Sequence, residues 1–365
     1  MLTTQSAAMP ASHPGASAQS APPAKFEAPG LPPELMLARM ISGYAVSRLI
    51  YLAAKLNLAD LLKDGPQSAN HLACETKTNP VALRRIMRGL VALGVFAENL
   101  SGEFELTALG RLMQTDAPGS LCKLALCSDE SYVAWGDLLQ SAQTGETAFD
   151  QAYGMSRYEY LEQHPEAARS FNEAMASISS QLAAAVVAGY DFSQIETAVD
   201  IGGGGGTLLQ TVLRANPAVR GVLFDKAPAL EGVEKQLEAA GLGGRCDVVV
   251  GDFFESVPAG GDLYLLSHVI HNWDDDHCIE ILKNCRAAMG AGARLLIIEI
   301  VMPEHFSPSM FAYPMAMTDL QMLVMTGGHE RTESEFRRLL TAAGYDLKRT
   351  LQIRAMDSII ECVPA

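Results

Sequence analysis

From residue 33 to 114 apolar positions recur at helical spacing. The stretch PELMLARMISGYAVSRLIYLAAKLNLADLL carries apolar side chains on most faces, the pattern of helices buried all round. Gly65-Pro66 interrupts it. Ser68 is placed to cap a short helix through SANHLACE. Asn79-Pro80 opens another through PVALRRIMRGLVALGVF, with Pro80 in a first turn where its missing N–H is harmless. FAEN and EFELT around a Ser101-Gly102 turn predict a two-stranded wing. Helix, turn, helix and hairpin in that order predict a winged helix over 33–115. A second helical run, SYVAWGDLLQSA followed by HPEAARSFNEAMASISSQLAAAVVAGY, occupies 116–190.

From Thr197 the pattern changes to short β-rich runs: AVDIG, GVLFD, CDVVVGD, DLYLLSH and ARLLIIEIV. They alternate with helical segments, which predicts a parallel α/β sheet. GYDLKRTLQI and MDSIIECVP predict an antiparallel hairpin at its edge. The expected organisation is a mainly helical winged-helix domain (33–115) and then a region (116–365) made of a helical linker (116–190) and a Rossmann-like α/β core (191–365). Residues 1–32 are rich in Ala, Ser, Pro and Gly, lack charge before Lys25, and are expected to form a disordered tail.

Composition narrows the function classes. Of 365 residues, 48% are hydrophobic and 19% charged. That suits a large core together with an apolar subunit interface. The net charge of -15 opposes general binding to nucleic acids or anionic membranes. Arg84, Arg85 and Arg88 lie on the helix that would read DNA. Over 33–115, however, nine basic residues face seven acidic ones, too small an excess for strong DNA binding. The seven cysteines contain no CxxC pair and read as reduced thiols of a cytoplasmic protein. No apolar run reaches the ~18–20 residues of a membrane span. The start has no basic region followed by an apolar one, so no secretory signal is expected.

The strongest local signal is AVDIGGGGGTLLQTVL. A strand ends at Asp200-Ile201, Gly202 to Gly206 follow, and a helix begins at Thr207. Dinucleotide sites want GxGxxG, but the third glycine would fall on Thr207 or Leu208. An acid followed by GxGxG, including Gly202 and Gly204, is instead the S-adenosylmethionine pattern, and Asp200 can take the methionyl ammonium. Asp225 ends the next strand and can accept ribose hydroxyl protons, a feature that nicotinamide cofactors share. Asp252 ends the third strand, where it can accept from the adenine amine while Phe253 packs on the ring.

The fourth strand leads into SHVIHNWDDDHC. His268 reads as structural. A metal cluster of His268, His271 and His277 is an alternative, but the aspartates are explained by capping and the helix dipole. His271 reads as a general base, because a neutral phenol needs its proton removed as the methyl arrives. Glu299, at the end of the fifth strand, and Glu330, in GGHERTESEF, can orient the imidazole. Glu330 could equally be an N-terminal acid of the following helix, next to the Thr332–Glu335 capping box.

VDIGGGGG, FDKAP, GDFFESVP, HNWDDDHC, IIEIVMPE and GGHERTESEF stand in an order that resembles plant-type and bacterial small-molecule O-methyltransferases. That family includes caffeic acid, acetylserotonin and hydroxyneurosporene O-methyltransferases. The resemblance spans about 35–365 and includes PEAARSFNEAMASIS. It implies a homodimer formed and swapped through the N-terminal domain. It also implies metal-free methyl transfer to a hydroxyl, phenolic by preference, of a small aromatic or polyene specialised metabolite, with S-adenosylhomocysteine as product. His271 then matches the base, and Glu299 and Glu330 its flanking acids. Asp200, Gly202, Asp225, Asp252, Phe253 and Trp273 match cofactor contacts. Ser267 occupies the position of the family's cofactor-contacting Lys or Arg, and Asn272 replaces a common Asp. Trp135, Phe171, Met175 and Met322 match acceptor-pocket positions. Three alternatives remain at this point: a cofactor-binding relative that decarboxylates or hydroxylates, a winged-helix regulator, and a dehydrogenase.

Overall fold

The structure, a computed structural model, describes residues 32–354 and 356–365. Apart from Pro32, the tail expected over 1–32 lies outside the described residues.

Helices Pro33–Ile41 and Gly43–Lys55 meet at a 50° bend. After β1 (Gln67–Ser68), the Ser68 hydroxyl accepts from the His71 N–H (3.2 Å) and starts helix Ala69–Thr76. The Asn79 side chain caps Pro80–Ala92 in the same way, accepting from Val81 and Ala82. β2 (Phe96–Glu98) and β3 (Glu103–Leu106) form the wing. The wing has three strands, because β1 pairs with β3. A two-residue strand is too short to leave a periodic signal. Leu72, Leu83, Met87, Leu90, Phe96 and Phe104 fill the core of this unit.

One expectation needs correction. The first helix is not buried all round, since no residue of Pro33–Ile41 is buried. Leu35, Leu37, Met40 and Ile41 are 54%, 59%, 67% and 69% exposed. Nothing among the described residues covers this stripe. The helix expected through SYVAWGDLLQSA is also two helices, Ser128–Trp135 and Leu138–Thr144, broken at Gly136-Asp137, two weak helix formers. Helices Ala148–Tyr153, Arg157–Gln163 and the long Pro165–Gly189 follow.

The C-terminal sheet contains β4 (Thr197–Ile201), β5 (Arg220–Asp225), β6 (Cys246–Val250), β7 (Leu263–Ser267), β8 (Arg294–Met302), β9 (Arg331–Thr332), β10 (Tyr345–Arg354) and β11 (Asp357–Pro364). The spatial order is β6-β5-β4-β7-β8-β11-β10, with β9 on the end of β8. β6 through β8 run parallel, and β11 is antiparallel to both neighbours. The terminal hairpin therefore places β11 inside the sheet and β10 at its edge. One face buries Leu182, Val186, Leu209, Val212 and Leu213 from the helices packed on it. The other buries Ile281, Leu282, Phe336 and Leu340. Strand order reverses between β4 and β7, which opens a crevice at the carboxyl edge, where open α/β sheets bind ligands.

Candidate active site

The glycine turn is built around that crevice. Gly202, Gly204 and Gly206 have φ of 66°, 54° and 74°, a region that side-chain-bearing residues avoid. The Gly202 N–H donates to the Phe224 carbonyl (2.8 Å), and the Gly204 N–H donates to Asp225 Oδ2 (2.8 Å). Asp225 also accepts from its neighbour Lys226 N–H (2.7 Å). Burial raises the Asp225 pKa against these donors. Asp200 is 1% exposed, and its Oδ2 has no hydrogen-bond partner. Burial, then the Asp225 charge, push its pKa up to about 7. Asp252 accepts from Phe254 N–H (2.9 Å) and lies 3.5 Å from the Lys226 ammonium. Three carboxylates against Lys226 leave the crevice negative. It suits a cationic ligand with N–H or O–H donors, and it does not suit a pyrophosphate.

Phe253 borders the turn, since a Cβ on Gly202 would sit 3.5 Å from its ring. Trp273 meets Phe253 edge-on at 6.2 Å and Phe254 at 4.8 Å. Tyr158 stacks on Trp273 at 5.5 Å, 15° from parallel, and burial raises the pKa of its hydroxyl. Ser267 ends β7 at the same edge.

His271 lies on a short 3-10 turn, Ile270–Asn272, just beyond β7. The residue is 8% exposed. Its Nδ1 is 2.8 Å from Glu330 Oε1 and 3.3 Å from Glu299 Oε2. Nε2 is therefore the nitrogen turned away from the acids. Burial alone would lower the imidazole pKa, but the Glu299 charge and the Glu330 hydrogen bond and charge overcome it and raise it to about 9. Glu299 is fully buried and accepts from the Ile270 (2.9 Å) and His271 (3.3 Å) N–H groups. Its own pKa is raised by burial. Glu330 is tied through its backbone N–H to Asp319 (2.9 Å).

The metal alternative built on three histidines loses its geometry. His268, at φ 53°, bonds Asp357 (3.0 Å), and His277 joins the Asp274 cap (2.8 Å). The group whose ligand atoms do converge, within 4.8 Å, is His271, Glu299 and Glu330. There Glu299 Oε1 already serves backbone donors, and Nδ1 already faces Glu330.

Two features of this turn had no signal in the sequence. Arg331, 1% exposed, donates to the Ile270 (3.2 Å) and Trp273 (2.9 Å) carbonyls and to Asp275 (2.8 Å), clamping the turn to β9. A methyl group on Gly328 would run into the His271 carbonyl and the Asn272 backbone. Buried arginines and close backbone approaches leave no periodicity to read. Tyr158 went unread because its partner Trp273 is distant in the chain.

The acceptor residues expected from the resemblance lie on helices. Trp135 Nε1 donates to Gln321 Oε1 (2.7 Å), which joins Ser128–Trp135 to helix Ala312–Met325. That second helix carries Asp319 and, three residues on, the half-buried Met322. Phe171 lies against Arg157, with the guanidinium carbon 5.0 Å from the ring centroid. Met175 is half-buried one turn further along the same helix, with no hydrogen bond or ring contact to the others among the described residues.

Residues 38–116 match the O-methyltransferase dimerisation domain, and residues 135–346 match the O-methyltransferase domain. The chain belongs to this O-methyltransferase family. A phenazine O-methyltransferase of Lysobacter antibioticus is 45% identical over 335 residues, 92% of this chain and 97% of that protein. An O-demethylpuromycin O-methyltransferase of Streptomyces alboniger is 38% identical, over 97% of this chain and 95% of that protein. A solved O-methyltransferase from neocarzinostatin biosynthesis, in complex with S-adenosylmethionine and 2-hydroxy-5-methyl naphthoic acid, is 31% identical. It covers 88% of this chain and 96% of that chain, with a TM-score of 0.78. The methyltransferase is thus an S-adenosylmethionine-dependent enzyme of specialised metabolism, with a mainly helical dimerisation domain ahead of a Rossmann-like catalytic one. No single helix among the described residues is long and apolar enough to cross a membrane.

Proposed function

We propose that the methyltransferase methylates a phenolic hydroxyl on a planar aromatic metabolite, with His271 as general base. The observation that carries this reading is the pair of buried carboxylates on His271 Nδ1, which leaves Nε2 as the proton acceptor. A carboxylate on the far nitrogen fixes the tautomer and steadies the imidazolium once the proton arrives. Asp200, with its orphaned buried oxygen, Asp225 and Asp252 would hold the donor's ammonium, ribose and adenine. Gly202 and Gly204 would admit it against the backbone, beside Phe253, Ser267 and Trp273. When bound, S-adenosylmethionine supplies a methyl group already activated on a sulfonium. A sulfonium held in the crevice of Asp200 and Asp225 would oppose protonation of His271, whose pKa stands at about 9 without it, and would favour the imidazole as proton acceptor.

The aromatic preference rests on Trp135, Phe171, Met175 and Met322, half-buried residues at the acceptor positions that the resemblance implies. The exposed stripe Leu35, Leu37, Met40 and Ile41 suits a homodimer contact through the N-terminal domain, without nucleic acid. Seven free thiols suit the reducing cytoplasm.

The test is His271→Gln. S-adenosylhomocysteine affinity is expected to stay, while turnover of an unactivated phenol drops by roughly 10²–10⁴. Unchanged turnover removes His271 as base. Acceptor consumption without an equal yield of methylated product would favour decarboxylation or hydroxylation instead.

A further inference from the structure

Among the described residues two arginines are buried, and they differ in one respect. Arg331 is surrounded by carbonyls and the Asp275 carboxylate. Arg157, 7% exposed, has no hydrogen bond or ion pair among the described residues, and its Nη1 is buried without a partner. It opens helix Arg157–Gln163 behind the Ser156 capping box, so the backbone that points it inward is firmly set. Phe149 and Phe171 flank the guanidinium, with ring centroids 5.5 Å and 5.0 Å from its central carbon. Glu130 is the first charge to favour its protonated form, yet it lies outside ion-pair distance. Arginine does not shed its proton under such conditions. An unpaired charge taken from water is costly until an anion meets it.

The placement says which anion. Phe171 is one of the acceptor-pocket positions. Tyr158, the residue next to Arg157, stacks on Trp273, two positions past His271. Its contact with Phe171, an acceptor-pocket position that the resemblance implies, is what assigns the orphaned guanidinium to the acceptor side of the crevice. Its planar fork fits a carboxylate through two parallel hydrogen bonds. The flanking phenyl rings suit a flat ring system carrying that carboxylate.

We propose that Arg157 is a specificity-determining residue that binds a carboxylate on the aromatic acceptor. This rests on the acceptor reading above and adds the chemical class: a hydroxylated aromatic carboxylic acid. The contact sets affinity for the acceptor and takes no part in proton removal.

The test uses the full chain saturated with S-adenosylhomocysteine. Calorimetry compares 3-hydroxybenzoate and 3-hydroxy-2-naphthoate, each against its carboxamide. At least one acid is expected to bind ~10-fold or more tightly than its amide, since a site built for a polar group discriminates strongly against its loss. Arg157→Met should erase that preference, and Arg157→Lys should retain part of it. The proposal is overturned if no acid outbinds its amide, or if Arg157→Met keeps the preference. It is also overturned if Arg157→Met weakens acid and amide alike, as a purely structural role would. Should Arg157→Met fail to bind S-adenosylhomocysteine, the wild-type pairs and Arg157→Lys decide. Methylation of amide and acid with equal efficiency would sink the carboxylate site alone. Absence of methyl transfer to any hydroxyl would sink the proposed function instead.

Discussion

Glu330→Gln is the most informative single change, because it removes one charge and keeps the shape of the side chain. Glu330 Oε1 lies 2.8 Å from His271 Nδ1, with both groups almost out of water. A hydrogen bond to a charged group contributes ~1.5–3 kcal/mol. At ~1.4 kcal/mol per unit, that is ~1–2 units of imidazole pKa. A point-charge estimate at ~4 Å and an effective dielectric of ~20 gives ~4 kcal/mol and sets an upper bound. Glu299, 3.3 Å away, remains and keeps part of the elevation above 6.5. The pKa of His271 is thus expected to move down from about 9. With the neutral imidazole as the proposed working form, the rising limb of kcat/KM against pH is expected to shift to lower pH by ~1–2 units. The plateau drops by roughly tenfold, because a weaker base accepts the proton less readily. The assay follows methyl transfer at saturating S-adenosylmethionine, with an acceptor whose own hydroxyl does not titrate in the range. His271→Gln serves as the control that should lack the limb. A limb that stays in place, or moves to higher pH, would refute the coupling of Glu330 to the base.

Asp200→Asn should weaken S-adenosylmethionine binding by ~10–100-fold, the value of a lost charge-assisted hydrogen bond, as read by calorimetry. The same variant should melt at a higher temperature than wild type at pH 8, with a smaller gain at pH 5. The Asp200 pKa is raised from 3.8 to about 7, so its contribution to stability is full below 3.8 and is lost as pH rises through 7. Equal melting shifts at both pH values would contradict the burial argument. Gly328→Ala should push on the His271 turn, at an overpacking cost of ~1–3 kcal/mol. We expect kcat to fall while S-adenosylhomocysteine affinity holds; an unchanged kcat would show that the turn yields freely. Chelators should leave activity intact, because His271 Nδ1 is taken by Glu330 Oε1 and Glu299 Oε1 by backbone N–H groups. Loss on chelation with recovery on adding a divalent ion would make that cluster a metal centre.

Much of this architecture was legible locally. The caps at Ser68 and Asn79, the alternation of strand and helix after Thr197, and the acid-then-glycine turn at Asp200 are all short-range signals. The candidate residues were read from strands and the turns beside them: Asp200, Asp225 and Glu299 lie on β4, β5 and β8, whereas His271 and Glu330 lie in the segments beside β7 and β9. What escaped were pairings between distant segments. Tyr158 meets Trp273, Arg331 meets the Ile270 carbonyl, and Gly328 meets the His271 backbone only after folding. The apolar first helix misled for a related reason: hydrophobicity reports that a surface is to be covered, but not whether the cover lies in the same chain. The Gly136-Asp137 break shows that weak helix formers inside an apolar run can end a helix.

The base and its acids stand on β8 and on the segments that flank β7 and β9, whereas Trp135, Arg157, Phe171 and Met175 stand on helices ahead of the sheet. With the roles proposed above, chemistry and most of the selectivity would occupy different stretches of the gene, Met322 between Glu299 and Glu330 being the exception. Drift or recombination across the earlier stretch would then change which compound is admitted and leave His271 and its acids untouched, so one scaffold could serve many biosynthetic routes by exchanging its vestibule.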